Sequence, residues 1–351
     1  MRYAVRMRPL AGETLADLEA AFSEAGIPKW RAKPVLAWYW KKGVAGFSEM
    51  TDLPEPLRER LSRYWAFDTL ELRRRLEDPD GTVKFLYALP DGQLLESVLI
   101  PAPGRWTLCV STQVGCAVGC VFCASGLAGF TRNLTAAEIT EQVARASRDL
   151  MANRGARLDN VVVMGMGEPF QNYANLMKAL SILVADWGAG IGQRHVTVST
   201  SGLPEGIRKF AKEAGQVRLA LSLHAPNDRL RDELVPLNRR HPIADLMDAV
   251  RDYQKQTGRE VMWEYVLLGG KNDSPELARE LARLVKPLRG RVNLIPFNPV
   301  KETGLKAPAA GRAKAFADVL HREGVKVTIR REKGRSIDAA CGQLRLKELK
   351  A

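Results

Sequence analysis

The chain has 351 residues, 46% hydrophobic and 26% charged, which describes a folded globular protein and excludes a disordered or fibrous one. No apolar run approaches the roughly 20 residues of a membrane span, and the N-terminal Met1-Arg-Tyr-Ala-Val-Arg has no long apolar segment behind it, so a cytoplasmic protein is expected. The formal net charge of +13 points to a polyanionic partner, RNA or DNA, with a solvated basic surface as the plainer alternative.

Residues 1–68 read as a small helical accessory module suited to binding RNA. Thr14 is placed to cap a helix through Leu15, Leu18 and Phe22, which Gly26-Ile-Pro28 ends. A second helical run, Trp30 to Trp40, sets Trp30, Trp38, Tyr39 and Trp40 among Arg31, Lys33, Lys41 and Lys42, and a third spans Pro56 to Tyr64. Such aromatics can stack on unpaired bases, but in so small a module most tryptophans are expected to form the core. The basic residues around them remain candidates for RNA phosphate.

Residues 69–104 turn strand-like, in three runs separated by the turn signals Asp80-Gly81 and Asp91-Gly92. They predict a short antiparallel β linker or extension joining two domains. Glu96 lies inside its last strand, either exposed by alternation or turned toward a site, and the pattern alone favours exposure.

Residues 105–330 begin with the strand Trp106 to Val110, followed by Cys116-Ala-Val-Gly-Cys120-Val-Phe-Cys123. Three thiolates in eight residues can hold three corners of a [4Fe-4S] cluster and leave the fourth iron open for chemistry. The spacing resembles that of the radical S-adenosylmethionine (SAM) superfamily, in which SAM occupies that iron. A structural zinc knot completed by Cys109 is the competing reading, although zinc sites favour two separated pairs.

Regular alternation follows. Thr135 and Glu138 form a capping box for a helix to about Asn153. Strands at 160–165, 195–201, 217–224, 260–268 and 291–296 each precede a helix, and a last strand runs from Val325 to Arg330. With the strand before the triplet this makes six βα units, an incomplete (β/α)6 barrel. The site is expected at the C-terminal strand ends. These carry the triplet, Gly165-Met-Gly167-Glu168-Pro169, Ser199-Thr-Ser201, Ser222-Leu-His224 and Asn298. Glycine allows close backbone approach there, Glu168 can accept from an amino group, and Ser199, Ser222, His224 and Asn298 suit hydroxyls or a carboxylate. His224 has no partner at metal-ligand spacing.

Five cysteines fit a reducing compartment, and two stand outside the triplet, Cys109 and Cys341. Cys341 lies in the tail, residues 331–351, between Ala339-Ala340 and Gly342, a setting that suits a residue moving into a site; a buried thiol serving as a small hydrophobe is the plain alternative. Residues 301–351 hold 13 Lys and Arg against 6 Asp and Glu, so the basic surface and Cys341 share one segment.

The combination Leu108-Cys109-Val-Ser-Thr-Gln-Val-Gly-Cys116, Gly-Met-Gly-Glu168-Pro, Ser222-Leu-His-Ala-Pro-Asn227 and Asp338-Ala-Ala-Cys341-Gly-Gln-Leu resembles the RlmN/Cfr family of radical-SAM RNA methyltransferases over nearly the whole chain. The resemblance implies that Cys116, Cys120 and Cys123 bind one [4Fe-4S] cluster. It implies that Gly167, Glu168, Ser199, Ser222, Leu223, His224 and Asn298 line the SAM site, with two SAM used per turnover. Cys341 would carry the methyl group, Cys109 would release the product through a transient disulfide, and Glu96 would accept a proton. The implied substrates are 23S rRNA and tRNA, methylated at adenine C2, with flavodoxin or ferredoxin as electron donor and a monomeric enzyme. C8 methylation and a non-catalytic RNA-binding protein with a structural Fe–S or zinc knot are the alternatives.

Overall fold

The computed structural model describes residues 7–344. The N-terminal Met1–Arg6 stretch and the basic residues Arg345, Lys347 and Lys350 lie outside the described residues.

The first module comprises β1 (Arg8–Pro9), α1 (Leu15–Glu24), α2 (Ala32–Lys41), α3 (Glu55–Tyr64) and β2 (Trp65–Ala66). Thr14 opens α1 as predicted: its hydroxyl accepts from the Asp17 N–H, and Asp17 accepts from the Thr14 N–H. The module is not wholly helical, because β1 and β2 pair in parallel. Nor is its core built on the tryptophans of the second run. Val35, Leu36 and Tyr39 form the buried stripe of α2, and Trp38 and Trp40 flank it half-buried. Trp30 falls in the turn before α2 and is 64% exposed, with the Arg31 guanidinium 4.4 Å from its ring centroid.

Strands β3 (Glu71–Glu77), β4 (Val83–Ala88) and β5 (Leu94–Ala102) are antiparallel, and β5 pairs directly with β6 (Arg105–Cys109). The three strands therefore extend the main sheet and do not form a separate linker sheet. After β6 come β7 (Gln113–Gly115), the short helix α4 (Ala124–Leu127), β8 (Phe130–Asn133) and the long helix α5 (Ala136–Arg154). The alternating units are β9 (Asn160–Val163), α6 (Tyr173–Val184), β10 (Val196–Thr200), α7 (Pro204–Glu213), β11 (Arg218–Ser222), α8 (Asp228–Leu234) and α9 (Ile243–Thr257). They continue as β12 (Val261–Leu267), α10 (Pro275–Val285), β13 (Gly290–Pro296), α11 (Arg312–Arg322) and β14 (Val327–Ile329).

All of β6 and β9–β14 run parallel, in the order β14-β13-β12-β11-β10-β9-β6, with β5-β4-β3 continuing beyond β6. This is the α/β partial barrel that the sequence predicts. Its interior strands read as apolar runs because helices cover the outer face. The helix α8, inserted after β11, was not legible in the alternation.

Glu96 departs from the expected alternation. It is 2% exposed, because both faces of β5 are covered. Leu95 and Leu99 pack into the barrel core, while Val98 packs with Cys109, Met166 and the tail residues Ala339 and Leu344. Glu96 shares the parity of Val98, so the C-terminal tail buries the face that would otherwise meet water.

Candidate active site at the strand ends

A cavity of about 150 Å³ opens at the C-terminal ends of the parallel strands. One wall carries Cys116, Cys120 and Cys123; Gly167, Glu168, Ser199, Ser222 and His224 line the strand-end side, and Cys341 enters from the tail. The structure thus brings together most of the residues singled out from the sequence. Leu223 is different: its side chain is fully buried in the barrel core, and its backbone N–H donates to Glu264 O at 3.0 Å. Asn298 lines a smaller adjoining space with Arg330 and Cys341. Glu96 lines neither of these.

Gly167 has φ of +106°, and a Cβ there would lie 2.6 Å from the Gln113 side chain. The close approach that glycine permits is therefore to Gln113 just after β6, which in turn accepts from the Glu168 N–H at 2.8 Å. Glu168 is 1% exposed, and its carboxylate accepts from the Thr200 hydroxyl (2.7 Å), the Ser201 N–H (2.7 Å) and the Phe170 N–H (3.1 Å). Burial raises its pKa, and these bonds oppose the rise. The Ser199 and Ser222 hydroxyls meet at 3.2 Å across β10 and β11. His224 has φ of +59° and accepts at Nδ1 from the Val266 N–H, so its proton sits on Nε2. Burial, aided by Arg231, depresses its pKa to about 3 and keeps the ring neutral.

Burial pushes the Cys116 thiol up to about 12 and raises Cys120 and Cys123 as well. Three soft sulfurs that resist carrying bare negative charge suit a group that supplies positive charge; Cys341 lines the same cavity, and Cys109 does not. Cys109 instead lines a further small cavity together with Cys341, Arg330 and Met164. Its thiol is pushed up to about 12 by burial, with Cys341 adding to the rise and Arg330 opposing it. The two spare thiols thus share one space, which meets the main cavity along Cys123, Gly165 and Cys341.

The tail reads from sequence as loose, yet it is clamped on both sides of Cys341. Ser336 donates its backbone N–H and its hydroxyl to Asp78 Oδ2, at 2.9 and 2.6 Å. Gly334 donates to Asp80 Oδ2 at 3.1 Å. Lys84 Nζ donates to the Asp338 carbonyl at 3.3 Å and pairs with Glu96 Oε1 at 3.1 Å. Beyond Cys341, the Ala124 N–H donates to Gly342 O and the Ser125 hydroxyl to Leu344 O.

Sequence reading missed Arg231, Glu264 and Lys84. Arg231 is fully buried, holds Leu223 O and Asn238 Oδ1, and has its pKa lowered to about 10 by burial. Nothing in its local sequence marks it. Glu264 stood in view as a lone carboxylate within an apolar strand, a signal that could have been used. Arg330 lines the cavities around Cys341.

Comparison with known proteins agrees with this arrangement. Residues 110–282 match the radical SAM superfamily model, and residues 9–66 match the ribosomal RNA large subunit methyltransferase N-terminal domain. The chain is 48% identical over 336 residues to a probable dual-specificity RNA methyltransferase RlmN of Pelotomaculum thermopropionicum, covering 95% of this chain and 90% of that one. The chain belongs to the RlmN family of radical SAM methyltransferases. A second RlmN relative, the dual-specificity RNA methyltransferase of Anaeromyxobacter dehalogenans, is 46% identical over 342 residues, 96% of this chain and 91% of its own. A radical SAM methyltransferase from Sphaerobacter thermophilus superposes with a TM-score of 0.94 at 47% identity, over 96% of this chain and 99% of that one. The RlmN match therefore spans nearly the whole chain. No helix among the described residues is long and apolar enough to cross a membrane.

Proposed function

We propose that this chain methylates C2 of an adenosine in 23S rRNA and in tRNA, using Cys341 as methyl carrier and Cys109 as resolving thiol. The observation that carries the reading is the shared space between Cys109 and Cys341, joined to the cavity of the cysteine triplet. Against a zinc knot completed by Cys109, that residue does not line the triplet's cavity; it lines the smaller one, with Cys123 and Cys341. The RlmN relatives favour the C2 branch over C8 methylation.

Cys116, Cys120 and Cys123 would hold a [4Fe-4S] cluster, and the strand-end residues from Gly167 to His224, with Asn298, would hold SAM. When bound, the cluster supplies the electron that cleaves one SAM and so activates the methyl group on Cys341. Adenine C2 is electron-poor, as is the methyl carbon of SAM, so direct polar transfer between them is mismatched. A thiolate is a good nucleophile toward SAM, and Cys341 can take the methyl group first, releasing S-adenosylhomocysteine. Once the carbon on Cys341, having given up one hydrogen atom, has bonded to C2, the adduct must lose one electron and a base must remove the ring proton. Glu96, held opposite Lys84 beside the tail, is the carboxylate proposed for this. Cys109 thiolate then attacks Cys341 sulfur; the S–S bond forms as the sulfur–carbon bond breaks, the released carbon keeps that electron pair and takes up a proton to become the C2 methyl group, and a cellular dithiol reduces the disulfide to restore both thiols. Flavodoxin or ferredoxin is the proposed electron donor.

Mass spectrometry of Cys341 tests the reading. Holoenzyme incubated with SAM and no RNA is expected to gain one methyl group on that residue; an unmodified Cys341 in enzyme that binds SAM overturns it.

A further inference from the structure

Four polar residues lie in one rung across the parallel sheet. Ser222 on β11 is the register partner of Glu264 on β12, Glu264 of Asn293 on β13, and Asn293 of Thr328 on β14. The Thr328 hydroxyl donates to Asn293 Oδ1 at 3.1 Å, which turns the Asn293 amide nitrogen toward Glu264 Oε2 at 2.8 Å. One carboxylate oxygen is thereby fixed. The other, Oε1, is buried and has no hydrogen-bond partner, on a residue that is 3% exposed and lines the main cavity. An isolated buried carboxylate oxygen is costly unless a donor reaches it. Arg330 lines the same cavity and favours the ionised form of Glu264 against the burial that raises its pKa.

We propose that Glu264 Oε1 accepts a hydrogen bond from a ribose hydroxyl of SAM, making Glu264 a ligand-contacting residue of this site. The assignment rests on the SAM site proposed above. Strand order supplies the direction: Glu168 follows β9, and Glu264 lies three strands further along the sheet. At roughly 4.8 Å per strand, the two carboxylates stand on the order of 14 Å apart along the sheet, about the span of an extended nucleoside–amino acid conjugate. With the amino-acid end beside Glu168 and the cysteine triplet, the nucleoside end reaches β12. With Oε2 already held by Asn293, the unpartnered Oε1 has room for a donor, and the ribose hydroxyls are donors.

Equilibrium binding to the reconstituted holoenzyme tests the assignment, with SAM and its 2′-deoxy and 3′-deoxy counterparts as probes. Wild type is expected to bind at least one deoxy counterpart about tenfold or more weaker than SAM. Glu264→Gln, which can present an amide N–H to the cavity, is expected to bind SAM about tenfold or more weaker and to lose the discrimination between SAM and that counterpart. Equal binding of all three probes to wild type overturns the proposal without recourse to any variant. So does a Glu264→Gln enzyme with unchanged melting temperature and unchanged SAM affinity. Unchanged SAM affinity with weakened RNA binding also overturns it, because the carboxylate then serves the substrate base. Failure of wild type to bind SAM at all would instead remove the underlying site reading.

Discussion

Cys109 sits on β6 in the interior of a ten-stranded sheet, with β5 hydrogen-bonded on one side and β9 on the other. Cys341 sits on a tail held largely by hydrogen bonds to Asp78, Asp80, Lys84 and the segment after the cysteine triplet. Opening a central strand disrupts the cooperative core, whereas each tail hydrogen bond contributes only about 1 kcal/mol net, or up to about 3 kcal/mol where a charge is involved. A covalent handoff between two sulfurs needs one fixed partner and one that can change position. Under the proposed roles, Cys109 would be the fixed partner, and Cys341, held by the weaker contacts, the one that changes position.

The largest expected effect separates the two thiols chemically. Cys109→Ala leaves methylation of Cys341 in place and removes the sulfur that resolves the adduct, so turnover stops and protein becomes covalently joined to RNA. A nuclease-sensitive band on a denaturing gel reports it. Normal turnover without that band would deny Cys109 its role and dissolve the contrast.

The join between sheet and tail comes next. Lys84→Met removes the buried cation opposite Glu96 and the donor to Asp338 O, and is expected to cost about 3–5 kcal/mol in denaturant unfolding. Adding Glu96→Leu should recover part of that loss, because the second charge goes too. Equal stability of single and double variants would show that the pair contributes little.

A smaller effect is expected at the outer clamp. Asp78→Ala should raise protease cleavage after Lys333 and Arg335 several-fold and slow methylation of Cys341, while SAM affinity holds. The Ser336 hydroxyl lowers the Asp78 pKa below its ordinary 3.8. The clamp is therefore complete above about pH 4 and is lost as pH falls through the depressed value, so cleavage of wild type should rise only in that acidic window. Cleavage indifferent to the variant would place the tail's stability elsewhere.

The smallest effect concerns Arg331, which is exposed at the rim of the space beside Cys341. Arg331→Ala should lower the salt dependence of RNA binding by about one unit of slope and leave Cys341 methylation unchanged. An unchanged slope would remove Arg331 from the RNA contact.

Local signals account for what the sequence disclosed. Apolar strands, the Thr14 and Thr135 caps and the C-x3-C-x2-C triplet each act over a few residues, and they outlined the barrel and the cavity wall. The burial of Glu96 was hidden because the covering tail is distant in sequence, and no alternation within β5 records a tail folding over it. Trp30 and Trp38 misled for a related reason. Their size argues for a core, but the Val35–Leu36–Tyr39 stripe already fills the inward face of α2. Arg231 and the Lys84–Glu96 pair are polar groups whose partners come from other strands, so their roles appear only once the chain has folded.

The helix α5 serves two cores at once. Ile139, Val143 and Leu150 belong to the barrel, while Ala144 belongs to the N-terminal module, and the Thr140 hydroxyl donates to Ala11 O at 2.7 Å. Gly12 lies so close that a Cβ there would stand 2.7 Å from that of Ala137, and Glu141 accepts from the backbone N–H groups of Thr69 and Leu70. The module is thus riveted to a barrel helix, not hung from a hinge. The spacing between the module and Cys341 is therefore set by the fold, and grafting the module onto another barrel would keep that spacing only if the outer face of α5 travelled with it.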